Sequence, residues 1–243
     1  MLKSYIGTSG YNYSHWSDGV FYPEELSQSK WLEYYSQFFN SVELNVSFYR
    51  LPSKKTFENW YKRTPEDFYF IAKGSRFITH IKKLSDCKEP LGLFLENSSG
   101  LKEKLSCILW QLPPRLKRDL VKLENFLKLL EGSTKTTRQA FEFRNMSWFD
   151  KETYEVLKRY RVCLCIAHSH HWPCVKEITS DFLYLRFHGG EILYGSNYSE
   201  EELKEWADFV KSTKIKEIFA FFNNDAYGFA VKNALRFKEL LEK

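Results

Sequence analysis

The sequence lacks the features that would place the chain in several large classes of protein. No stretch approaches about 18 uncharged apolar residues, so we predict no membrane span. The first residues lack the long apolar run of a signal peptide. The 243 residues contain no linker rich in Gly, Pro or Ser, no block of like charge and no internal repeat. We therefore expect one soluble, cytoplasmic domain over residues 1–243, with no membrane partner.

Short catalytic motifs are absent as well. The chain has no G-x-S-x-G nucleophile motif, no Gly-rich dinucleotide fingerprint and no P-loop. Its five cysteines are an odd number without the spacing of a disulfide framework, so we expect reduced thiols. A nucleophilic triad is not predicted, and neither is a cofactor.

The chain does contain many aromatic side chains and a small excess of positive charge. The formal net charge of +5 is spread among acidic residues, so it indicates only a weak preference for anionic partners, nucleic acid included. Aromatic residues make up 18% of the chain. Several follow predicted strand ends, where they could stack on sugar rings or bases, although each is more often a loop anchor. These residues are Tyr11, Tyr13, Trp16, Tyr49, Trp148, Trp172, Tyr194 and Tyr227.

Eight short apolar segments alternate with helical patterns along the chain. Eight β/α units in this length predict a TIM-type (β/α)8 barrel with parallel strands, and an open doubly wound sheet is the alternative. Asp150, Ser199 with Glu202, and Asp225 are placed to begin three of the helices. The predicted strands, each followed by a helix, are 4–8, 41–47, 68–74, 106–112, 138–144, 162–168, 182–188 and 217–223.

Polar side chains occupy one face of several predicted strands near the carboxyl end. In the strand 41–47, Glu43, Asn45 and Ser47 alternate with aliphatic residues. Because a barrel carries its chemistry at the carboxyl ends of its strands, we expect these side chains to meet each other or a ligand in a pocket. The same spacing predicts inward positions for Lys73, Gln111, Glu142, Arg144, Arg186 and His188.

Glu43 and Glu142 are the carboxylates predicted on the inner wall, and we predict that they act as general acid and base. The alternative is a structural role, in which each carboxylate neutralises an inward cation. The predicted cations outnumber these carboxylates, which favours an anionic ligand. The predicted substrate-binding residues are Asn45, Lys73, Gln111, Arg144, Arg186, His188, Asn223, Asn224, Tyr49 and Trp148.

Two loops are further candidates for binding an anion. The loops after the seventh and eighth strands contain Gly189-Gly190 and the segment 223–228. This region of a TIM-type barrel often binds phosphate through glycine backbone and a helix N-terminus. The alternative is that the two glycines only form a turn. His15 and His80 are expected to fix loops by hydrogen bonding.

The segment from Cys163 to Cys174 is rich in potential metal ligands. In a regular strand Cys163 and Cys165 point to the face opposite His168, and we expect the cysteines to pack against helices and His168 to face the mouth. A joint site is therefore not predicted, and no metal is assigned. The alternative is a site at the mouth with His168, His170 or His188 as ligands, either of histidines alone or of histidines with Glu142.

Ordered motifs along nearly the whole chain match one known family. They include Ile6-Gly-Thr-Ser-Gly10, Val42-Glu-Leu-Asn45, Gln111-Leu-Pro-Pro114, Phe141-Glu-Phe-Arg144, Leu185-Arg-Phe-His-Gly189 and Phe222-Asn-Asn224. In these the chain resembles the domain-of-unknown-function family 72, also called YecE-like. The resemblance implies a TIM-type barrel and brings no established activity, cofactor or substrate. It also implies an Asp where this chain has His168, so a role of that acid is in question here.

Taken together, these residues predict a metal-independent hydrolase or lyase acting on an anionic, ring-bearing substrate, such as a sugar phosphate or a nucleic-acid component. One alternative is a protein that binds nucleic acid or a small anion without catalysis. A further alternative is a glycoside hydrolase-like enzyme for neutral sugars, which requires Glu43 and Glu142 roughly 5 to 10 Å apart.

Overall fold

The computed structural model describes residues 2–17, 19–133 and 137–242. Its eight strands are parallel and lie in the order β1-β8-β7-β6-β5-β4-β3-β2. Sequential strands are neighbours and the first strand pairs with the last, so the sheet forms a nearly closed barrel of the predicted TIM type. The strands are β1 (Lys3–Thr8), β2 (Ser41–Leu44), β3 (Tyr69–Lys73), β4 (Leu105–Gln111), β5 (Arg138–Glu142), β6 (Cys163–His168), β7 (Leu183–Phe187) and β8 (Glu217–Phe222).

Helices surround the barrel, and two of their predicted start signals are confirmed. Ser199 and Glu202 form a capping box, and the Asp150 carboxylate accepts a hydrogen bond from the Thr153 N–H. None of the described helices is long and apolar enough to cross a membrane. The helices are α1 (Trp31–Tyr35), α2 (Val46–Tyr49), α3 (Lys54–Lys62), α4 (Lys88–Ser98), α5 (Leu120–Ser133), α6 (Lys151–Arg159), α7 (Glu200–Ser212) and α8 (Phe229–Glu242). Shorter 3-10 segments are Ser14–Trp16, Gln28–Lys30, Ser99–Lys104 and Met146–Trp148, and Phe77–Ile81 forms a π-helical turn.

All eight predicted strands exist, and the second shows the largest boundary error. It ends at Leu44, because the backbone of Asn45 turns helical (φ −80°, ψ −21°) and α2 begins at Val46. Ser47 therefore does not continue the strand. Its hydroxyl instead bonds the carbonyl oxygens of Leu44 and Lys73, which ties the end of β2 to the end of β3.

The prediction that a helix follows every strand is wrong between β6 and β7. Residues 169–182 contain no helix. Pro173 lacks a backbone donor, and the segment has no helical repeat of apolar residues. Thr179 anchors it by hydrogen bonds with the Leu164 N–H (2.8 Å) and the Val162 carbonyl oxygen (2.7 Å).

The barrel interior corrects the expected orientation of β6. Ala167 pairs in register with Arg186, an inward residue of β7, so the odd-numbered residues of β6 face inward. Cys163 and Cys165 accordingly pack in the interior, whereas His168 lies outside. Cys163 and Cys165 do point to the face opposite His168, as predicted, but the prediction of which face is inward was wrong. Because β6 is apolar on both sides, its sequence does not distinguish the inner face from the outer one. The interior cluster is Tyr5, Ile71, Cys107, Leu109, Ala140, Cys163, Cys165, Phe182, Tyr184, Phe219 and Phe221.

Side chains bridge the seam between β1 and β2. The Asn40 amide donates to the Ser4 carbonyl oxygen (2.7 Å) and its oxygen accepts from the Ile6 N–H (3.3 Å). The Tyr35 hydroxyl accepts from the Thr8 N–H (2.9 Å) and donates to the Ser41 carbonyl oxygen (3.2 Å). These side chains satisfy buried backbone groups where the barrel closes.

Replacing Tyr35 by Phe should destabilise the protein by about 1–3 kcal/mol, because the buried Thr8 N–H loses its acceptor. The measurement is urea unfolding of wild type and variant. Tyr34→Phe is the matched control, since the half-buried Tyr34 hydroxyl has no hydrogen bond in the described part of the chain. Equal stability losses in the two variants would contradict a specific role for Tyr35 in closing the barrel.

Candidate functional site

A buried guanidinium lies at the centre of the barrel beneath its carboxyl end. Arg186 of β7 is 1% exposed and contacts the carboxylates of Glu43 and Glu142. Its Nε and Nη2 donate to the two oxygens of Glu43, at 3.0 and 2.6 Å, and its Nη1 donates to Glu142. The three residues thus form an ion layer that spans the barrel from β2 through β7 to β5.

Glu43 receives donors on both of its oxygens. The Ser9 hydroxyl donates to Oε1 (2.8 Å) and the Tyr184 hydroxyl donates to Oε2 (2.7 Å), in addition to Arg186. Burial by itself would raise the pKa of Glu43, but the charges of Arg186 and Lys73 hold that pKa below its usual value. Glu43 is therefore an ionised carboxylate with its hydrogen-bonding capacity occupied.

Glu142 is held in the same state from the other side. Arg144 Nε donates to its Oε1 (2.7 Å), and His188 Nε2 lies 3.6 Å from that oxygen. Burial again opposes the charge, while Arg144 and Arg186 hold the pKa of Glu142 well below its usual range. Burial, followed by the charges of the same arginines, lowers the pKa of His188 to about 4. This imidazole is therefore neutral at pH 7.

Above the ion layer lies an open cavity of about 610 Å³. It occupies the carboxyl end of the barrel, where TIM-type enzymes carry their active sites. Neither Glu43 nor Glu142 is among the described residues that line it. Its wall includes Tyr13, His15, Asn45, Phe48, Tyr49, Lys73, Arg76, His80, Gln111, Arg144, Leu193, Tyr194, Asn223, Asp225 and Ala226.

The cavity wall is cationic. Among the residues that the structure describes, Lys73, Arg76 and Arg144 line it together with one carboxylate, Asp225. The Arg144 guanidinium lies 3.7 Å above the ring of Trp172, while its Nε is bound to Glu142. Its two terminal nitrogens have no hydrogen-bond partner among the described residues, so this planar fork is fixed and available to an anion.

Lys73 is a buried lysine on this wall. Its side chain is 7% exposed, and its Nζ lies 4.4 Å from the centre of the Phe48 ring. Burial, followed by the charge of Arg186, lowers the pKa of Lys73 to about 7. A large fraction of this amine is therefore neutral at physiological pH.

His15 and Asp225 form a second pair of titratable groups at the mouth. His15 Nε2 lies 2.8 Å from Asp225 Oδ2, and the Trp16 indole N–H donates to the same carboxylate. Burial raises the pKa of Asp225, and these partners oppose that rise. Asp225 was predicted to begin the last helix. The helix α8 begins at Phe229, and the Asp225 carboxylate interacts with the Ala230 backbone in its first turn and also links the β8 loop to the β1 loop.

The structure brings most of the predicted binding residues together. Asn45, Lys73, Gln111, Arg144, Asn223 and Tyr49 line the cavity, and Arg186 and His188 lie in the layer beneath it. Asn45 Oδ1 is buried in the wall without a hydrogen-bond partner among the described residues. His80, expected only to fix a loop, also lines the cavity, and its Nδ1 bonds the Thr79 hydroxyl (2.9 Å).

Two of the predicted binding residues lie elsewhere. Trp148 is buried against Phe143 and its indole N–H donates to the Leu116 carbonyl oxygen. Asn224 donates to the Ser196 carbonyl oxygen and to Asn233 Oδ1. Both side chains join loops to the helical layer, so neither faces the cavity.

The loop after β7 does not present its glycine backbone to the cavity. The Gly189 N–H donates to the Tyr198 hydroxyl (3.1 Å), and neither Gly189 nor Gly190 is a lining residue. His168 Nδ1 also bonds Tyr198, on the outside of the barrel. Within the described ranges no three His, Cys, Asp or Glu side chains are grouped as metal ligands.

Arg76 and the pairing of His15 with Asp225 were missed by sequence reasoning. Arg76 follows β3 by three residues and therefore lies outside the strand pattern that identified Lys73. Arg76 could have been identified as a cavity residue from its position, because it lies in the loop after β3, a strand that ends in the inward Lys73. His15 and Asp225 are 210 residues apart, and only the closure of the barrel brings their loops together.

An apolar cleft of about 300 Å³ adjoins the cavity and shares Tyr13, Asn45 and Tyr49 with it. Its other lining residues include Tyr11, Leu44 and Trp60. The combined site has a cationic part and an aromatic part, which matches a ligand with an anionic group and a ring.

Comparisons with known proteins agree with the family resemblance of the motifs. Residues 5–243 match the model of the family described as protein of unknown function DUF72. UPF0759 protein YunF of Bacillus subtilis (strain 168) is 30% identical, over 98% of this chain and 94% of YunF. The crystal structure of a DUF72 family protein from Thermotoga maritima MSB8 has a TM-score of 0.86 and 36% identity, and the match covers 99% of this chain and 100% of that one.

A more distant match shows the fold alone. The D-psicose 3-epimerase of Clostridium cellulolyticum H10, solved with D-tagatose, has a TM-score of 0.53 and 11% identity. The match covers 99% of this chain and 96% of the epimerase.

Replacing Arg186 by Gln should destabilise the protein by about 3–5 kcal/mol, because two buried carboxylates lose their shared counter-charge. Arg118→Gln is the matched control, since Arg118 also contacts two carboxylates, Asp150 and Glu152, but at the surface. There we expect a loss of about 1 kcal/mol or less. Urea unfolding compares the two variants, and similar losses would contradict the central role of the ion layer.

The free energy of unfolding should report the titration of Lys73. The pKa of Lys73 is about 7 in the folded protein and 10.5 in the unfolded chain. The unfolded chain therefore binds more protons than the folded protein between these two pH values. Lys73 therefore destabilises the fold fully below pH 7, and this effect fades as the pH rises. Lys73→Met should raise the thermal midpoint by several degrees near pH 6, and by progressively less towards pH 10. A midpoint difference that is independent of pH would contradict the lowered pKa.

Proposed function

Since the chain belongs to the DUF72 family of proteins of unknown function, we propose from its own geometry that the cavity is the active site of a hydrolase or lyase. The proposed substrate is a small, anionic, ring-bearing molecule such as a sugar phosphate or a nucleic-acid component. The observation that carries this proposal is the placement of Lys73, Arg76 and Arg144 around one cavity at the carboxyl end of the barrel.

The anionic group of the substrate would bind Arg144 and Arg76. Arg144 is held by the ring of Trp172 and by Glu142, so it need not be ordered when the ligand arrives. Arg76 is exposed at the rim, where its charge would attract an anion and then close over it. This arrangement moves the proposed anion site from the glycine loop after β7 to the side of β3 and β5.

The ring of the substrate would occupy the aromatic cleft. Tyr49 is 77% exposed at the boundary between cleft and cavity, and Trp60 and Tyr11 line the cleft behind it. The cavity and the cleft lie within the usual size of small-molecule sites, about 300–1,000 Å³. That size suits one sugar ring or base with one phosphate. Asn45, Gln111 and Asn223 would orient the polar groups between ring and anion.

Proton transfer is proposed for groups that face the cavity. Glu43 and Glu142 were predicted as acid and base, but each is ionised, occupied by donors and placed beneath the cavity. Their supporting role would be to hold Arg186 and Arg144. Lys73, and His15 oriented by Asp225, are the groups whose position suits acid and base chemistry.

The buried ion pairs argue against the neutral-sugar alternative. Hydrolysis of a glycoside by the usual route needs one protonated carboxyl group and one free carboxylate across the scissile bond. Both candidate carboxylates are engaged by Arg186. Binding of nucleic acid or a small anion without catalysis remains the competing proposal, because it uses the same cationic wall.

A ligand panel tests the anion site. Inorganic phosphate, ribose 5-phosphate and nucleoside monophosphates should raise the thermal midpoint, and neutral ribose should not. At 100 times its dissociation constant a ligand adds about 2.7 kcal/mol, which corresponds to roughly 5 to 10 °C in a chain of this size. Arg76→Gln should reduce the shift, since it removes a cavity cation that has no ion pair in the described part of the chain. Arg159→Gln, at an ion pair with Glu124 on the outer surface, is the control and should leave the shift unchanged.

Turnover separates the enzyme from the binding protein. Each ligand that stabilises the protein should be converted on incubation, which NMR of the ligand detects, and Lys73→Met should abolish the conversion. Binding without conversion would support the competing proposal. A thermal shift with neutral sugars alone would contradict the anion site.

A further inference from the structure

We propose that Lys73 is a covalent nucleophile, whose amine forms an imine with the carbonyl carbon of an anionic aldehyde or ketone held in the cavity. This inference rests on the proposed anion site and narrows the reaction to a lyase that works through a Schiff base. Lysine amines that are desolvated or lie near other cations are the ones suited to this chemistry.

The position of Lys73 fits a nucleophile. It is the last residue of β3, and its carbonyl oxygen accepts a hydrogen bond from the Ser47 hydroxyl (2.7 Å), which fixes the backbone at the strand end. Its side chain lines the same cavity as Arg144 and Arg76. A carbonyl compound anchored by its anionic group would therefore reach the amine from one side of a rigid wall.

A second buried lysine shows what a structural role looks like in this protein. Lys104 is 3% exposed, and its Nζ donates to the carbonyl oxygens of Tyr61 and Thr64 and to the Thr64 hydroxyl, at 2.8 to 3.1 Å. Lys73 Nζ has no hydrogen bond or ion pair within the described residues and lies over the face of the Phe48 ring. An unpaired buried ammonium is costly, and no hydrogen bond or ion pair among the described residues offsets the cost of charging Lys73.

Burial is the largest cause that lowers the pKa of Lys73, and the charges around it act in both directions. Arg186 on β7 and Arg144, two residues after β5, oppose its protonation, whereas Glu142 and Glu43 favour it. Both carboxylates are already paired with the arginines, as described above. His80 and Arg76, in the segment after β3, complete the titratable and charged groups on the adjoining wall. With burial, these groups lower the pKa of Lys73 to about 7.

The proposed step balances without an oxidant or reductant. The nitrogen lone pair of Lys73 attacks the carbonyl carbon, the C–N bond forms, and the carbonyl oxygen takes up the proton that nitrogen releases. The hydroxyl of this carbinolamine is protonated and leaves as water, while the nitrogen lone pair forms the C=N bond of a cationic iminium. That iminium accepts the electron pair of an adjacent C–C or C–H bond when it breaks, which releases a second carbonyl compound or a proton and leaves a neutral enamine. A proton then adds to the enamine carbon, and hydrolysis of the resulting iminium by water restores the carbonyl and the free amine.

Reductive trapping tests the inference. The wild-type protein is incubated with dihydroxyacetone phosphate, ribose 5-phosphate or 2-deoxyribose 5-phosphate, and sodium borohydride then delivers hydride to the iminium carbon and makes the bond permanent. Intact mass and peptide mapping should place the adduct on Lys73 at least about tenfold above Lys104 and the surface lysines. Dihydroxyacetone, which lacks the phosphate, should give much less adduct.

Variants separate this inference from the anion site itself. Lys73→Arg keeps a cation and should lose the adduct while still showing a thermal shift with inorganic phosphate. Arg76→Gln should lower the trapping yield in parallel with phosphate binding. The yield in wild type should rise from about pH 6 to about pH 8, because the neutral amine is the nucleophile.

Two results would overturn the inference in distinguishable ways. Phosphate-dependent stabilisation without any adduct on Lys73 in the wild type, or equal adducts in wild type and Lys73→Arg, would remove the covalent role and leave the anion site. No adduct and no stabilisation by any phosphorylated compound would remove both. Mapping in the wild type needs no variant, so the outcome does not depend on whether Lys73→Arg folds.

Discussion

The buried pairing of Arg186 with Glu43 and Glu142 is the constraint on which the rest of the site depends. Three ionised groups without solvent exposure are tolerated only because each oxygen and each donor finds a partner. Ser9, Tyr184 and Arg144 complete that set. The ion layer thereby closes the apolar interior below and forms a rigid base for the cavity above. It also removes two carboxylates from the cavity, which leaves the wall cationic.

This division into layers explains how one barrel end can be stable and still reactive. Below the ion layer, aromatic and aliphatic side chains fill the interior, with the Tyr5 and Phe219 rings stacked at 4.5 Å. Above it, Lys73 is buried without a partner within the described residues, a cost that the stability of the lower layers can offset. Arg144 connects the two levels, since its Nε binds Glu142 while its other nitrogens remain at the cavity. Lys73 stands at the end of β3 and Arg144 two residues beyond β5, where the barrel holds them in one orientation, whereas Arg76, His15 and Asp225 lie in the loops around them.

Period-two spacing predicted the inward positions of Glu43, Lys73, Glu142 and Arg186 because charged residues on otherwise apolar strands mark the face that contains them. The same rule failed on β6, where both faces are apolar and only the register with Arg186 decides that Cys163 points inward. The prediction that Trp148 lies at the mouth was wrong for another reason, because it rested only on the position of Trp148 after a strand. An aromatic residue after a strand can cover either the mouth or the helices, and Trp148 stacks on Phe143 in the helical layer. The chain between β6 and β7 was also misjudged, because regular alternation elsewhere suggested a helix that Pro173 and the lack of a helical repeat do not support.

The sequence by itself determined the family, the eight-stranded parallel barrel and most of the polar residues that collect at its carboxyl end. These follow from local patterns: apolar runs, their period and the motifs that interrupt them. Only the tertiary structure decided which of the polar residues neutralise each other and which stay open to a ligand. Glu43 and Arg186 are separated by 143 residues, and His15 and Asp225 by 210. Pairing, burial and the resulting pKa values depend on distances between such remote positions, which are set by closure of the barrel and not by any local spacing. The same closure leaves Lys73 on the cavity wall as a lysine whose amine has no hydrogen bond or ion pair among the described residues.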